Sequence, residues 1–162
     1  MATSLRPLTV DDLATVLDIN ETNVHHLAPM DEEELRWFLD DATLALGAEV
    51  DGDLVGFVLV LAPGLDYPSR NYAWFTERYD DFLYLDRVAI DERARRQGVG
   101  TAIYDEVEGA AAERGVPLLL EVNLRPINEP SLAFHAQRGF GEVGTLDHDE
   151  GAKVVRLLAK EP

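Results

Sequence analysis

Two glycines one residue apart, Gly98 and Gly100, follow a pair of arginines and open a stretch with helical spacing. Glycine has no Cβ, so backbone amides beside it can approach a bulky anion closely. The first N–H groups of a helix lack partners within the helix and lie at the positive end of its dipole. Arg95 and Arg96 add positive charge at this point of an acidic chain. This combination predicts an anion site suited to a pyrophosphate.

Two glycines before a helix also occur in turns that bind no ligand, so the neighbouring residues must distinguish an anion site from such a turn. A P-loop requires Gly-Lys-Ser/Thr, and no lysine is near these glycines. A dinucleotide-binding fold requires a third glycine where Ile103 stands. Neither of these phosphate-binding motifs fits the chain.

The spacing Arg95-x-x-Gly98-x-Gly100, after a predicted strand Phe82 to Ile90, resembles the acetyl-CoA signature of the GNAT superfamily of N-acetyltransferases. A second block, Asn128 to Phe140, is similar to the family motif in which an asparagine leads a helix that closes with an aromatic residue, three residues and Gly-Phe. The two blocks stand in the order and at the separation found in the family. The resemblance implies the family's layout for the whole chain.

The resemblance also implies which residues bind acetyl-CoA as the co-substrate. In the family, two central parallel strands splay apart, and the acyl-CoA arm enters the gap and bonds to strand backbone. Carried over to this chain, the end of one strand would hold the pantetheine arm and the acetyl carbonyl. The glycine loop would hold the pyrophosphate, and one asparagine would contact the pantetheine arm from the other side. These residues are Val88, Ala89 and Ile90, then Arg95, Arg96, Gln97, Gly98, Val99, Gly100 and Thr101, and finally Asn128.

Direct acetyl transfer to an amine requires a neutral nucleophile, a polarised carbonyl and a proton for the departing thiolate. A backbone N–H within 88–90 can polarise the carbonyl. Glu121 stands in a position resembling the catalytic glutamate of the ribosomal-protein N-terminal acetyltransferases. Asp86, a charge inside an apolar strand, is the competing base. Either carboxylate could act through a water molecule.

Position 135 departs from the family pattern, which usually has a tyrosine there as the proton donor to the CoA sulfur. His135 can also donate, and its unperturbed pKa of about 6.5 makes the donor form scarcer at higher pH than a tyrosine pKa of about 10 does. The neutral tautomer could still donate through its N–H group. The alternative is a solvent-facing helix histidine without a role.

Two irregular segments are predicted to border the acceptor. Pro63 to Asp81 is a long connection crowded with aromatic residues, and this density argues against disorder. Its rings could pack on an apolar or cationic acceptor or fold the connection onto the sheet. Asn23 to Met30 joins two predicted helices and usually borders the acceptor site in the GNAT fold. The predicted acceptor contacts are Tyr72, Trp74, Tyr84 and Asn123.

Periodicity and cap residues predict the elements that position these side chains. Strands are predicted at Thr3 to Leu8, Leu44 to Val50, Leu54 to Leu61, Phe82 to Ile90, Val116 to Val122, Phe140 to Leu146 and Lys153 to Leu158, with a type I′ turn at Asp51-Gly52. Helices are predicted after Thr9, after Asp31, from Gly100 to Gly115 and from Asn128 to Gly139. We therefore predict an α/β (α+β) fold, a GNAT-like mixed sheet of about seven strands with splayed central parallel strands, flanked by about four helices.

The chain has 162 residues, predicted as one domain over 1–162, with 14 Lys and Arg against 31 Asp and Glu. The formal charge of −17 repels nucleic acid and anionic membranes and attracts cations, and we interpret it as a solubilising surface in preference to substrate steering. The longest apolar run, Leu54 to Ala62, is shorter than the roughly 20 residues of a membrane helix. Met1 to Pro7 lacks a signal-peptide core, so a cytoplasmic protein is expected.

The absence of cysteine excludes thiol nucleophiles and thiolate metal sites, and the four histidines lack ligand spacing, so no structural metal is expected. The sequence thus predicts an N-acetyltransferase that moves an acetyl group from acetyl-CoA to a primary amine, in a small molecule or an amino terminus, by direct transfer in a ternary complex. The alternative is a non-catalytic acyl-CoA sensor or regulatory module. The identity of the amine and the choice between monomer and homodimer stay open.

Overall fold

The computed structural model describes residues 2–25 and 27–162. Met1 and His26 lie outside the described residues, so the predicted acceptor segment is described at 23–25 and 27–30. The strands are β1 (Thr3–Pro7), β2 (Leu44–Val50), β3 (Asp53–Leu61), β4 (Leu83–Ile90), β5 (Leu118–Arg125), β6 (Gly141–His148) and β7 (Lys153–Lys160). The helices are α1 (Leu13–Glu21), α2 (Glu32–Asp41), α3 (Arg70–Thr76), α4 (Val99–Arg114) and α5 (Glu129–Gln137).

The strands form a mixed sheet in the order β1-β2-β3-β4-β5-β7-β6, which confirms the predicted fold class. Antiparallel ladders join β1 to β2, β2 to β3, β5 to β7, and β6 to β7. The predicted parallel pair is β4 with β5, and its ladder consists of Leu83 opposite Leu118 and Tyr84 opposite Leu119. A ladder of two residue pairs is short for two strands of eight residues each.

The chain packs as two compact units, each built from two chain segments. The first unit comprises 1–62 and 85–110, and its core combines the fully buried run 57–61 of β3 with apolar side chains of α1, α2 and α4. The second unit comprises 63–84 and 111–162. Its core combines the start of β4 with β5, β7 and the buried rings of α3.

The predicted helix starts are confirmed by cap hydrogen bonds. Thr9 and Asp12 form a capping box ahead of α1, in which the Asp12 carboxylate accepts the Thr9 backbone N–H at 2.8 Å. Asp31 accepts the Glu34 backbone N–H at 2.8 Å at the start of α2. Each bond satisfies an amide that the first helical turn leaves without a partner, which is why these residue types predict helix starts.

The segment from Pro63 to Asp81, predicted as an irregular connection, contains the helix α3, so that prediction was wrong for 70–76. The Ser69 hydroxyl accepts the Tyr72 backbone N–H at 3.2 Å and caps the helix. Tyr72 and Phe75, three residues apart, then fall on one helical face and are both buried. This helix raises the number of α-helices in the described residues to five rather than about four.

No helix within the described part of the chain has the length and apolar character to cross a membrane. Across 2–25 and 27–162, no group of three or more histidine, aspartate or glutamate side chains is arranged to hold a metal ion.

Candidate active site

The predicted anion loop lies between β4 and α4 in the first unit. Arg96 and Gly98 adopt left-handed backbone angles, with φ of 64° and 82°. Helix α4 begins at Val99, and the Ala102 N–H donates to the Gly98 carbonyl at 3.0 Å. The first-turn N–H groups of α4 therefore have no partner within the helix and lie at the positive end of its dipole.

The two glycines of this loop serve different purposes. A Cβ added at Gly98 would meet no atom within 4 Å, so the requirement for glycine there is its φ of 82°. A Cβ added at Gly100 would lie 3.4 Å from Cδ1 of Ile90, in ordinary contact. Gly98 gives the loop its shape, whereas Gly100 leaves space above the first turn of α4.

The arginines near the loop differ in whether a carboxylate neutralises their charge. The Arg93 guanidinium donates to both Asp91 oxygens, at 3.1 and 3.0 Å, and its hydrogen bonds lower the pKa of the Asp91 carboxyl. Arg95 donates from Nη2 to Asn23 Oδ1, a neutral amide, at 2.9 Å. Arg95 and Arg96 are both exposed. The loop therefore presents positive charge beside the open end of α4.

The C-terminal half of β4 alternates in burial. Val88 and Ile90 are half-buried, whereas Ala89 is 3% exposed. A Cβ added at Gly56 would lie 3.1 Å from the Ala89 carbonyl oxygen, so the backbones of β3 and β4 approach closely there. The face that carries Val88 and Ile90 is the more open one.

Asp86, one candidate base, forms a buried ion pair with its chain neighbour. Arg87 Nε donates to Asp86 Oδ2 at 2.8 Å, and the two side chains are 7% and 6% exposed. The charge inside the apolar strand is therefore compensated by a second charge of opposite sign. One oxygen of this carboxylate is already engaged in holding an arginine.

Glu121, the other candidate base, is half-buried on β5 in the second unit. The Tyr84 hydroxyl donates to Glu121 Oε1 at 2.6 Å, a short bond typical of a charged acceptor. Tyr84 is 1% exposed, and its ring packs on Tyr72 and Phe75 at 5.6 and 5.8 Å between centroids. Tyr84, predicted as an acceptor contact, therefore has almost no surface to offer a ligand and instead orients the carboxylate.

Asn123 lies two residues after Glu121 on the same face of β5 and is half-buried. Its carbonyl accepts the Asn128 backbone N–H at 3.1 Å. Asn128 in turn caps α5, since its side-chain oxygen accepts the Ser131 N–H at 3.3 Å. The asparagine that the resemblance assigns to acetyl-CoA thus has a structural task at the helix start.

His135 lies on α5 and is 4% exposed, so it is not the solvent-facing histidine of the alternative interpretation. Its Nδ1 is 2.7 Å from the Ser131 backbone oxygen. A carbonyl oxygen only accepts, so Nδ1 carries the hydrogen and the neutral ring has none on Nε2. The ring also packs edge-on against Phe140, at 5.2 Å between centroids.

The two predicted aromatic contacts of α3 differ in exposure. Tyr72 is 3% exposed, and its hydroxyl oxygen accepts the Leu65 N–H at 3.2 Å. Trp74 is half-buried; the Arg78 guanidinium stacks on its ring at 3.9 Å, and a Cβ at Gly144 would lie 2.6 Å from the ring. Tyr72 is thus part of the core, and Trp74 is the ring of the pair with exposed surface.

Two polar clusters were not predicted from the sequence. In the first unit, Arg87 is 7% exposed and bonds to Asn20. The sequence does carry a signal for this cluster, because Arg87 is a second charged residue beside Asp86 in an apolar strand. In the second unit, His148 contacts Asn71 at 3.0 Å, and its pKa is lowered by burial and by nearby Arg70 and Lys153. Nothing local in the sequence marks that histidine.

The sequence and the fold resemble those of known proteins. A sequence model of the Acetyltransferase (GNAT) family matches 10–140, more than half of the 162 residues. No curated protein sequence matches the chain.

Solved structures match nearly the whole chain. Ard1 from Thermoplasma volcanium shares 20% identity with a TM-score of 0.77, covering 99% of this chain and 98% of that one. NAA60 from Arabidopsis thaliana, in complex with a bisubstrate analogue, shares 19% identity with a TM-score of 0.77 and the same coverage. The ribosomal-protein-S18-alanine N-acetyltransferase from Escherichia coli shares 19% with a TM-score of 0.73, covering 99% and 94%. At these identities the likeness concerns the fold alone.

Proposed function

This chain belongs to the GNAT family of acetyltransferases, and we propose that it transfers the acetyl group of acetyl-CoA directly to a primary amine. After the ammonium has lost a proton, the amine nitrogen attacks the acetyl carbonyl carbon; this nitrogen then loses a second proton as the C–S bond breaks, and the CoA thiolate takes up a proton. The protein must therefore bind the pyrophosphate, polarise the carbonyl, remove a proton from the ammonium and supply one to the sulfur.

The observation that carries the proposal is the start of α4. Gly98 holds a left-handed turn there, the first-turn amides have no partner within the helix, and Arg95 and Arg96 add exposed positive charge. These features support binding of a pyrophosphate by the loop Arg95 to Thr101. The more open face of Val88 and Ile90 supports a role of the β4 end in holding the pantetheine arm.

Glu121 is the base that the contacts favour over Asp86. The Tyr84 hydroxyl fixes one Glu121 oxygen at 2.6 Å. Glu121 and Asp86 are both half-buried, but the Asp86 carboxylate forms an ion pair with Arg87 at 2.8 Å, which makes it a weaker base. In the proposed mechanism Glu121 removes the ammonium proton, directly or through a water, before the nitrogen attacks.

His135 is the proposed proton donor, and it acts as the imidazolium. Its Nδ1 hydrogen is committed to the Ser131 carbonyl, so only a second proton on Nε2 is available for transfer. The family's usual tyrosine has no such requirement, because its single hydroxyl proton is itself the one donated.

The acceptor is proposed to be an amine in a small molecule or at an amino terminus. The similar structures include an enzyme named for ribosomal-protein S18 alanine and another solved with a bisubstrate analogue. Trp74, Asn123 and the segment 23–30 are the proposed acceptor contacts, and we further propose that the protein acts in the cytoplasm.

The test is thiol release from acetyl-CoA with ethanolamine, spermidine, free alanine and a tetrapeptide beginning with alanine. Amine-dependent release of one thiol per acetylated product is the expected result. An acyl-CoA sensor, the alternative function, would bind acetyl-CoA by calorimetry and release no thiol with any amine. Absence of acetyl-CoA binding would contradict both functions.

A further inference from the structure

A buried polar cluster in the first unit joins β4, α1 and the segment that follows α1. Arg87 is 7% exposed and Asn20 is 1% exposed. Arg87 Nη1 donates to Asn20 Oδ1 and to the Ala28 carbonyl, both at 3.1 Å. Asn20 Nδ2 donates to the same Ala28 carbonyl, also at 3.1 Å. One backbone carbonyl of the segment is therefore held by two buried side chains.

The cluster is costly, which suggests a task beyond stability. A buried guanidinium loses its hydration, and an apolar side chain of similar size is often as stabilising as a buried ion pair. Here Arg87 is compensated by Asp86 at 2.8 Å and packs over the Phe38 ring at 5.6 Å. Arg87 also donates to Asn20 and to the Ala28 carbonyl, so the guanidinium links the segment to β4.

A second set of bonds fixes the other end of the segment. Asn23 is 8% exposed; its Nδ2 donates to the Ile19 carbonyl at 2.8 Å, and its Oδ1 accepts from Arg95 at 2.9 Å. The Leu27 N–H donates to the Asn23 carbonyl at 2.9 Å. Asn23 Nδ2 also lies 3.4 Å from the Ile90 carbonyl oxygen at the end of β4. The segment is thus tied to β4 near residue 23 and again at residue 28.

We propose that Arg87 and Asn20 are positioning residues for the acceptor: they fix the described residues 23–25 and 27–30 as one wall of the acceptor subsite beside the end of β4. The inference rests on the proposed function, in which 88–90 hold the acetyl group. The Asn23 side chain lies 3.4 Å from the Ile90 carbonyl oxygen at the end of this stretch, so the segment borders the proposed acetyl site. Val24, 38% exposed, gives the wall apolar surface.

The test compares Arg87→Met and Asn20→Asp with Arg36→Met as the matched control. Met keeps the apolar stem of arginine and removes its donors. Asp at position 20 still accepts from Arg87 but no longer donates to Ala28, so its effect should be smaller. Arg36 is an exposed arginine of α2 that pairs with Glu32, one turn away. Thermal unfolding identifies the variants that fold. Arg87→Met removes the arginine that pairs with Asp86 and could unfold the protein for that reason; Asn20→Asp keeps this pair and therefore still tests the proposal.

Three measurements are made: amide hydrogen exchange over 22–30, acetyl-CoA affinity by calorimetry, and the acceptor KM with the best of the four amines named above. Arg87→Met should speed exchange in this segment and raise the acceptor KM, each about tenfold, with acetyl-CoA affinity within about twofold of the parent. The control should match the parent in all three.

Unchanged amide hydrogen exchange in both variants would show that Arg87 and Asn20 do not hold the segment. Faster exchange with an unchanged acceptor KM would overturn the wall, and equal loss of acceptor and acetyl-CoA binding would reduce the cluster to a general structural role. A parent protein without amine-dependent thiol release refutes the proposed function and the acceptor role with it, whereas the exchange measurement still decides whether Arg87 holds the segment.

Discussion

At the scale of single residues, hydrogen bonds decide what each candidate side chain can do. His135 has its Nδ1 hydrogen on a backbone carbonyl, which fixes its neutral tautomer. Tyr84 is enclosed by aromatic rings and donates to Glu121. Both residues were predicted from position and type alone, and the contacts change the role proposed for each: His135 would donate only when doubly protonated, and Tyr84 would support the proposed base.

His135→Ala should lower kcat by about 10²- to 10⁴-fold with acetyl-CoA affinity nearly unchanged, because general acid catalysis stabilises only the transition state. His135→Tyr should restore part of the rate and extend activity to higher pH. The measurements are the pH profile of kcat and calorimetry with acetyl-CoA. Ser131→Ala is the matched control, since it removes a hydroxyl 3.3 Å from Nδ1 and keeps the backbone carbonyl. If His135→Ala turns over like the parent, the thiolate leaves without this donor.

Glu121→Gln should lower kcat/KM by about 10²- to 10⁴-fold, because the amide cannot take the ammonium proton. Tyr84→Phe should cost about tenfold, since the carboxylate remains and loses only its orienting bond. The double variant should be no slower than Glu121→Gln alone, because the two residues act as one unit. A larger loss with Asp86→Asn than with Glu121→Gln would move the base to Asp86.

At the scale of secondary-structure elements, the proposed acetyl-CoA site depends on the start of one helix. Helix α4 has a glycine with positive φ at each end, 82° at Gly98 and 69° at Gly115. The first precedes the amides proposed for the pyrophosphate, and the second only ends the helix. Ahead of helix α1, the Asp12 carboxylate accepts the Thr9 N–H in the capping box of a short 3-10 turn and pairs with Arg6 of β1.

Gly98→Ala and Gly115→Ala should each destabilise the fold by about 1 kcal/mol, because an L side chain is strained at these φ values. Only Gly98→Ala should weaken acetyl-CoA binding, about tenfold or more, since it alters the turn that presents the first amides of α4. Urea unfolding and calorimetry separate the two effects. Equal acetyl-CoA affinities in the two variants would show that the Gly98 turn does not form the site.

Asp12→Asn should cost about 1–2 kcal/mol at pH 7, because Arg6 donates to both Asp12 oxygens, at 2.8 and 2.9 Å. The bond from Arg6 lowers the pKa of Asp12 in the folded protein. Its stabilisation is therefore present above the usual carboxyl pKa of about 3.9 and is lost as pH falls through the lowered value. Urea unfolding at pH 7 and pH 3 should show the parent's advantage shrinking, with the exposed neighbour Asp11→Asn as control. The same advantage at both pH values would contradict this account.

At the scale of the whole molecule, the charge of −17 is the dominant feature. Like charges on one folded chain repel each other, and added salt screens that repulsion. Acidic residues stand even where a helix dipole disfavours them, as at Asp40 and Asp41 in the last turn of α2. The surface therefore favours solubility over the stability of the compact state.

The thermal midpoint should rise by about 3–6 °C between 0.02 M and 0.5 M KCl, because screening weakens the repulsion among carboxylates. The double variant Asp40→Asn/Asp41→Asn should have a higher midpoint at low salt and a smaller response to KCl. Scanning calorimetry measures both. A midpoint that is constant or falls over this range would show that the acidic surface does not destabilise the fold.

The sequence by itself determined the elements and the family. The Asp51-Gly52 hairpin turn, with φ of 53° and 83°, the capping box at Thr9, and the glycine end of α4 arise from neighbours in the chain, so their residue types suffice to predict them. The same holds for Arg95-x-x-Gly98-x-Gly100, whose proposed function depends on local backbone shape. Even α3, which was missed, carried a local signal in Ser69 and the spacing of its rings.

Only the tertiary structure decided which side chains meet. Tyr84 and Glu121 are 37 residues apart, and Arg87 and Asn20 are 67 apart. Alternation along a strand predicts the face of a residue but not the side chain from another element that packs against it. The burial of Tyr72 and His135 and the tautomer of that histidine follow from such packing. The physical reason is that cap and turn energies act within a few residues, whereas burial and ion pairing depend on contacts that exist only after the elements assemble.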